Sequence, residues 1–178
     1  MASPWFQITV ELVEGRDLVL WPRPGRIFAA SPTHTFGALA DAIDNAFARW
    51  DLSHLHEFRR QDGERIGQPD PDFGGVLDER TQKLSRLEAG EELLYIFDFG
   101  DGWHHLVTVG TERLDPGKQF GAVPPHPVVL FGWGDIPDQY GRRVADDDGS
   151  GAIPPDPSRA DLPTLLPWWG ADAHNYDT

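Results

Sequence analysis

The stretch 93–110, which reads LLYIFDFGDGWHHLVTVG, is the feature that most constrains the fold of this chain. Two runs rich in β-branched and aromatic residues flank the tripeptide Gly100-Asp101-Gly102. An Asp-Gly pair between such runs favours a type I′ turn, because that turn needs positive φ at both central residues. The sequence therefore predicts a β-hairpin, and with it a sheet as the framework of the domain.

The register of this hairpin decides which side chains face one another. A two-residue loop places Asp98 opposite His105, whereas a three-residue loop with a bulge places Asp98 opposite His104, because a one-residue slip changes the face. Either register predicts a carboxylate opposite an imidazole. The pair is interpreted as catalytic or ligand-binding, or as a cross-strand charge pair that contributes about 0.2–1 kcal/mol. We favour the structural interpretation.

Strands are also predicted before the hairpin. Apolar and polar residues alternate over 5–12, which is typical of a half-buried strand. Residues 18–21 read as a second strand, and 26–30 read either as its continuation or as a third strand. The prolines between them confine this region to an edge or a bulge. A short strand over 55–59 carries the His-x-His pattern of His54 and His56.

One helix is predicted, over 36–50, with Thr35 as its N-cap. Its apolar residues recur at three- and four-residue spacing and form one stripe, which favours a helix lying across a sheet. Asp41 and Asp44 are expected on or beside the polar flank of this helix. Arg49, near its carboxyl end, suits the helix dipole.

The order of these elements predicts an α+β fold, in which a mixed β-sheet packs on one main helix in a β-grasp-like arrangement. Residues 1–114 form the predicted core. Residues 115–178, rich in proline and glycine, are expected to wrap around the core as a C-terminal extension. Within this extension, 128–133 and 162–169 are the apolar segments expected to dock on the core.

Composition excludes several classes of function. The formal net charge of −14 makes direct nucleic-acid binding unfavourable, because an acidic surface repels phosphates. Cysteine is absent, which excludes disulfides, thiolate nucleophiles and Cys-based zinc sites. The sequence carries no signal peptide pattern and no apolar run of membrane-spanning length, so a cytoplasmic location without membrane contact is the expectation.

The candidate metal site combines His54, His56 and His105 with Asp98. Two imidazoles in a His-x-His strand point the same way, and a third imidazole with a carboxylate completes a set that suits zinc or manganese. The alternative is that His54 and His56 cap helix-end carbonyl groups, while Asp98 and Asp101 accept backbone N–H bonds in the turn. Nothing in the sequence alone brings the two blocks together.

Trp103 also has two interpretations. The first is a core residue or a lid over the hairpin, which we favour because large aromatic side chains dominate protein cores. The second is a binding platform for an apolar or peptide partner, formed together with other tryptophans of the chain, Trp133, Trp168 and Trp169.

Three blocks in order resemble the plasmid pRiA4b ORF-3-like family, which also occurs as a passenger of mobile elements. They are the strands and helix from WFQITVELVEG to FGALADAIDNAFARW, the segment HLHEFR, and YIFDFGDGWHHLVTV. The third block resembles the family signature Tyr-x-Tyr-Asp-Phe-Gly-Asp-x-Trp-x-His, with Phe97 in place of the second Tyr. Many relatives have a Cys-rich segment after the hairpin, where this chain has Gly134–Gly141 without Cys. The resemblance implies an α+β domain and no assigned activity.

These observations favour a non-enzymatic binding module with a protein or peptide partner. The partner-facing surface is predicted at the hairpin turn and the His54 segment, from six residues: His54, His56, Asp98, Asp101, Trp103 and His105. The competing hypothesis is a hydrolase-like, divalent-metal-dependent enzyme, with His54, His56 and His105 as ligands and Asp98 or Asp101 as base.

Overall fold

The computed structural model describes residues 3–72 and 74–140. Over these residues the chain forms one mixed sheet with one main helix packed on it, which confirms the α+β prediction. The strands are β1 (Trp5–Gly15), β2 (Leu18–Val19), β3 (Gly25–Ala30), β4 (His56–Arg60), β5 (Arg65–Gly67), β6 (Val76–Asp78), β7 (Glu92–Phe97), β8 (Trp103–Leu114) and β9 (Val128–Trp133). The helices are α1 (Phe36–Ala46), the short α2 (Pro116–Phe120) and a 3₁₀ turn, Leu84–Arg86.

The strands lie in the order β6-β5-β4-β7-β8-β1-β3-β9, and β2 pairs with β1. All pairs are antiparallel except β5 with β6, which is parallel. The alternation predicted for β1 is confirmed: Ile8, Val10 and Leu12 are fully buried, whereas the residues between them are partly exposed. One face of the sheet therefore carries the core.

Helix α1 covers that face. The side chain of Thr35 accepts a hydrogen bond from Ala38 N at 3.0 Å, as expected of an N-cap. The buried stripe begins with Phe36, Leu39 and Ile43. This stripe removes from water the apolar surface that holds helix and sheet together.

The predicted carboxyl end of the helix was wrong, because α1 ends at Ala46 rather than at Trp50. Ala48 adopts a left-handed φ of 54°, and Arg49 N donates to Asp44 O at 2.8 Å. The chain therefore turns inward after Phe47. This turn directs residues 49–55 toward the end of the sheet where the β7–β8 hairpin closes.

Strand β9 extends the sheet beyond residue 114. It pairs with β3 from Gly25↔Trp133 to Ala29↔Val128, so 128–133 docks on the core as an edge strand. The remainder of the predicted extension, 141–178, lies outside the described residues, and with it the segment 162–169. No helix in the described part of the chain is long and apolar enough to cross a membrane.

Candidate functional site

The hairpin loop and the His54 segment lie side by side. Strand β4 pairs with β7, with His56 opposite Phe97. Just beyond this pair, Asp98 N donates to Leu55 O at 2.9 Å. The two sequence blocks that carry the candidate residues therefore meet at one end of the sheet, which the sequence alone did not establish.

The hairpin loop is longer than either predicted register. Phe97 pairs with Trp103 and Tyr95 pairs with His105, so residues 98–102 form a five-residue loop. The predictions that Asp98 lies opposite His105 or His104 were both wrong. Asp98 is in the loop instead.

Asp98 organises this loop. Its backbone adopts a left-handed φ of 58°, and its carbonyl oxygen accepts from Gly102 N at 2.6 Å. Its Oδ1 accepts from Gly100 N at 2.9 Å and from Asp101 N at 3.2 Å. Aspartate tolerates the left-handed region better than most residues because its side chain forms such local bonds. The carboxylate thus fixes the loop backbone, as the turn-forming alternative predicted.

Asp98 also contacts a histidine, which lies in the segment before β4 and not across the hairpin. Its Oδ2 lies 3.3 Å from His54 Nδ1. On the other side of the ring, His54 Nε2 lies 2.7 Å from the Tyr140 hydroxyl, which donates to Asp51 Oδ2 at 2.6 Å. Hydrogen bonds from the Ser53 and Tyr140 hydroxyls hold the pKa of Asp51 well below its usual range. These contacts form the His54 network: His54, Asp98, Tyr140 and Asp51.

Segment 138–140 holds the network in place. Gln139 Oε1 accepts from Trp50 N at 3.0 Å and from Asp51 N at 3.1 Å, and Gln139 Nε2 donates to Asp51 O at 2.9 Å. Trp50 Nε1 donates to Asp138 Oδ1 at 3.2 Å. Both Asp138 and Gln139 are buried. No local sequence pattern indicates these partners, because residues 138–140 are about 88 positions away from residues 50 and 51 in the chain.

His56 points to a different partner from His54. Its Nε2 lies 2.8 Å from Glu79 Oε2, and both side chains are buried. Burial alone would lower the pKa of His56, but the hydrogen bond and the charge of Glu79 together outweigh burial and raise it. Glu79 was not predicted as a partner. No sequence pattern indicates that residue 79 lies beside His56.

A second buried acid lies nearby. Asp44, predicted on or beside the polar flank of α1, is buried, and its Oδ1 accepts from the Tyr95 hydroxyl at 2.7 Å. Burial raises the pKa of Asp44 to about 7, against the opposing effects of His56, the Tyr95 hydrogen bond and Arg49. The prediction that Asp44 lies on or beside the polar flank was wrong, because Tyr95 on strand β7 gives its carboxyl group a hydrogen-bond partner inside the core.

His105 is separated from the His54 segment by a whole strand. β7 lies between β4 and β8, and the ring of Tyr95 lies 5.7 Å from that of His56 and 5.4 Å from that of His105. His105 Nδ1 lies 3.1 Å from Tyr95 O. Complete burial lowers the pKa of His105 well below its ordinary value, which favours the neutral ring. The contact between His105 and the 54–56 segment, on which the metal hypothesis depends, is not formed.

The predicted metal set is therefore only partly brought together. Of His54, His56, His105 and Asp98, the pair His54 and Asp98 is in contact. Among residues 3–72 and 74–140, no group of three or more His, Cys, Asp or Glu is arranged to hold a metal ion. Metal binding stays a prediction.

Trp103 is a core residue, as favoured, because its side chain is fully buried. It packs against Gly15 on β1, where any Cβ would collide with the indole ring. The guanidinium carbon of Arg49 also lies 4.0 Å from the centroid of this ring, a cation–π contact. Arg49 is itself buried, and burial lowers its pKa to about 10. Among the described residues, its three guanidinium nitrogens have no hydrogen-bond partner, and the carboxylates of Asp44, Asp98 and Asp138 partly compensate its charge.

Three large apolar side chains are exposed at this end of the sheet. Phe99, Leu55 and Leu52 are 47%, 42% and 62% exposed. Beside them, Asp101 Oδ2 forms an ion pair with Arg16 NH1 at 3.1 Å and so joins the loop to the β1–β2 turn. We call residues 51–55 and 98–102 together the loop–segment surface. Of the six residues predicted for a partner-facing surface, His54, Asp98 and Asp101 lie within these two ranges, and Asp98 is buried there. His56, Trp103 and His105 are buried and lie outside the two ranges.

Comparison with known proteins agrees with this fold. A protein from Sinorhizobium fredii (strain NBRC 101917 / NGR234), described as uncharacterized protein y4hQ, is 37% identical over 90 residues, which are 44% of this chain and 46% of that protein. The chain thus matches less than half the length of this relative. The crystal structure of a protein of unknown function from Methanosarcina mazei Go1 is similar with a TM-score of 0.59 at 24% identity, covering 74% of this chain and 71% of that chain. That likeness concerns the fold alone.

The family model for the plasmid pRiA4b ORF-3-like protein matches residues 5–141. This range includes the hairpin, the His54 network and segment 138–140. The chain belongs to the plasmid pRiA4b ORF-3-like family.

Proposed function

We propose that this chain is a non-enzymatic binding module, and that the loop–segment surface receives a protein or peptide partner. The observation that carries the proposal is the exposure of Leu52, Leu55 and Phe99 on backbone that buried residues hold in place. Large apolar side chains exposed together mark interaction sites in soluble proteins. Aromatic and aliphatic anchors of this kind supply most of the energy at protein interfaces.

The backbone beneath these side chains is pre-ordered. Asp98 fixes the loop through three hydrogen bonds, and Gln139 fixes residues 50 and 51 through three more. A surface that is ordered before binding loses less conformational entropy when the partner arrives. The polar side chains of Asp98 and Gln139 therefore have a structural role at this site, because they hold the backbone that carries the exposed apolar side chains.

The partner is expected to be apolar at its contact residues, with a polar rim. The Arg16–Asp101 ion pair and the half-buried His54 lie at the edge of the apolar side chains and are available for such a rim. A nucleic acid fits this surface poorly, because the formal charge of the chain is −14.

Peptide selection tests this proposal. A random peptide library is panned against the intact chain, and the affinity of the selected peptides is measured by calorimetry for the wild type, Leu55→Ser and Phe99→Ser. We expect each substitution to weaken binding about tenfold or more, as loss of a central anchor does. The matched control is Val123→Ser, because Val123 is also exposed (56%) but follows α2 at the opposite end of the sheet. Selected peptides that bind Leu55→Ser and Phe99→Ser as tightly as the wild type would refute the proposal.

The metal-dependent enzyme is the alternative, and the contact between His54 and Asp98 is what supports it. It has less support because His54, His56 and His105 each contact different partners. Elemental analysis of protein purified without a His-tag separates the two hypotheses. Stoichiometric zinc or manganese that is lost in His56→Ala would overturn the metal-free module.

A further inference from the structure

The described part of the chain ends on the loop–segment surface. The Tyr140 hydroxyl lies 2.7 Å from His54 Nε2 and 2.6 Å from Asp51 Oδ2. Tyr140 N also donates to Asp138 Oδ2 at 3.1 Å, which fixes the backbone at this point. Whatever follows Tyr140 therefore starts beside Leu52, Leu55 and Phe99.

The sequence after Tyr140 contains an apolar segment, which suits contact with the exposed apolar side chains of this surface. Residues 162–169 read LPTLLPWW, with three leucines and two tryptophans among eight residues. The segment is preceded by Asp161 and followed by Gly170, and it contains no charged residue. Leucine and tryptophan side chains of this size gain most from leaving water when they meet exposed apolar side chains.

Tethering makes even a weak contact effective. Residues 141–161 separate Tyr140 from Leu162, and a random coil of that length would span about 25 Å on average. Because the tether starts beside the surface, the segment is held near it at an effective concentration on the order of millimolar. A contact with a Kd of about 0.1 mM would then be occupied most of the time.

We propose that segment 162–169 binds the loop–segment surface of its own chain, with its leucines and tryptophans against Leu52, Leu55 and Phe99. The contact makes the segment an intramolecular competitor of an external partner. The competition rests on the proposed function, whereas the contact itself does not.

Photocrosslinking of the full chain tests the contact directly. Phe99 is replaced by benzoylphenylalanine, which keeps an aromatic side chain at this exposed position, and crosslinked peptides are mapped by mass spectrometry. Mixing isotope-labelled and unlabelled copies distinguishes crosslinks within a chain from those between chains. The control places benzoylphenylalanine at Val123, at the far end of the sheet.

The expected result is a crosslink within one chain from position 99 to residues 162–169, and no such crosslink from position 123. Crosslinks between copies, crosslinks from position 99 to other segments only, or equal yields from both positions would overturn the proposal. None of these results depends on whether an external partner binds.

Competition gives an independent readout. The double variant Trp168→Ser/Trp169→Ser is expected to bind a selected peptide about tenfold more tightly than the wild type, because the internal competitor is weakened. An unchanged affinity in the double variant overturns the cis contact while leaving the proposed function in place. If Leu55→Ser and Phe99→Ser leave the affinity of the selected peptides unchanged, the proposed function is overturned. The crosslinks then remain the test of the contact between segment 162–169 and the loop–segment surface.

Discussion

Replacement of Asp44 by Asn tests whether a buried carboxyl group makes the stability depend on pH. Burial raises the pKa of Asp44 from 3.8 to about 7 in the folded protein. The folded state therefore retains a proton that the unfolded state releases, so stability falls as the pH rises from about 4 to about 7. Asn cannot ionise, and its Oδ1 can still accept the hydrogen bond of the Tyr95 hydroxyl.

The magnitude follows from the same pKa. Each pKa unit corresponds to about 1.36 kcal/mol, so between pH 5 and about pH 7 the ionisation of Asp44 costs the wild type roughly 2–3 kcal/mol. The free energy of unfolding of Asp44→Asn is expected not to show this decrease, because Asn does not ionise. The pKa of His56 is also raised, which makes stability fall with rising pH. Most of that rise comes from Glu79 and is kept in Asp44→Asn, whereas the smaller part that comes from the charge of Asp44 is lost with the carboxylate.

Urea unfolding at pH 5, 6, 7 and 8, followed by tryptophan fluorescence, measures the free energy of unfolding for both proteins. Asp41→Asn is the matched control, because Asp41 is exposed on the same helix. The difference between Asp44→Asn and wild type should grow by about 2–3 kcal/mol from pH 5 to pH 8. Parallel pH profiles for wild type and Asp44→Asn would refute the assignment of a raised pKa to Asp44.

Two further substitutions probe the packing around the site. Gly15→Ala places a methyl group against the buried ring of Trp103 and should lower the free energy of unfolding in urea by about 1–3 kcal/mol. The control Gly74→Ala, whose methyl group meets open space, should leave that free energy nearly unchanged. Equal losses in the two variants would contradict this packing. Glu79→Ala leaves the buried His56 without its partner and should cost about 3 kcal/mol at pH 6. Because the pKa of His56 is raised, that cost should shrink as the pH rises through it, and a cost that grows with pH would contradict the ion pair.

The sequence predicted the elements whose pattern is local. The alternation of β1 and the apolar stripe of α1 identify their own buried faces, and Thr35 caps the helix where expected. The helix end was missed because the apolar residue Trp50 continues the stripe but is held by segment 138–140, far away in sequence. Periodicity cannot distinguish a stripe that packs on the sheet from one that another loop covers.

The candidate site was predicted in part for similar reasons. The meeting of Asp98 with a histidine was anticipated, but the histidine is His54 rather than one across the hairpin. The loop length was missed because Asp98 adopts positive φ, a conformation that the Asp-Gly pattern assigns to later positions. The burial of Asp44 could not be predicted, because its partner Tyr95 lies on a strand that only the tertiary fold brings near.

The central claim is that partners bind at the loop–segment surface, and amide chemical-shift mapping tests it most directly. ¹⁵N-labelled full-length chain is titrated with a selected peptide, and the shift of each assigned amide is followed. If partners bind there, the largest changes fall within residues 51–55 and 98–102, with little change around Val123. Changes centred on another part of the sheet, with 51–55 and 98–102 unaffected, would contradict it.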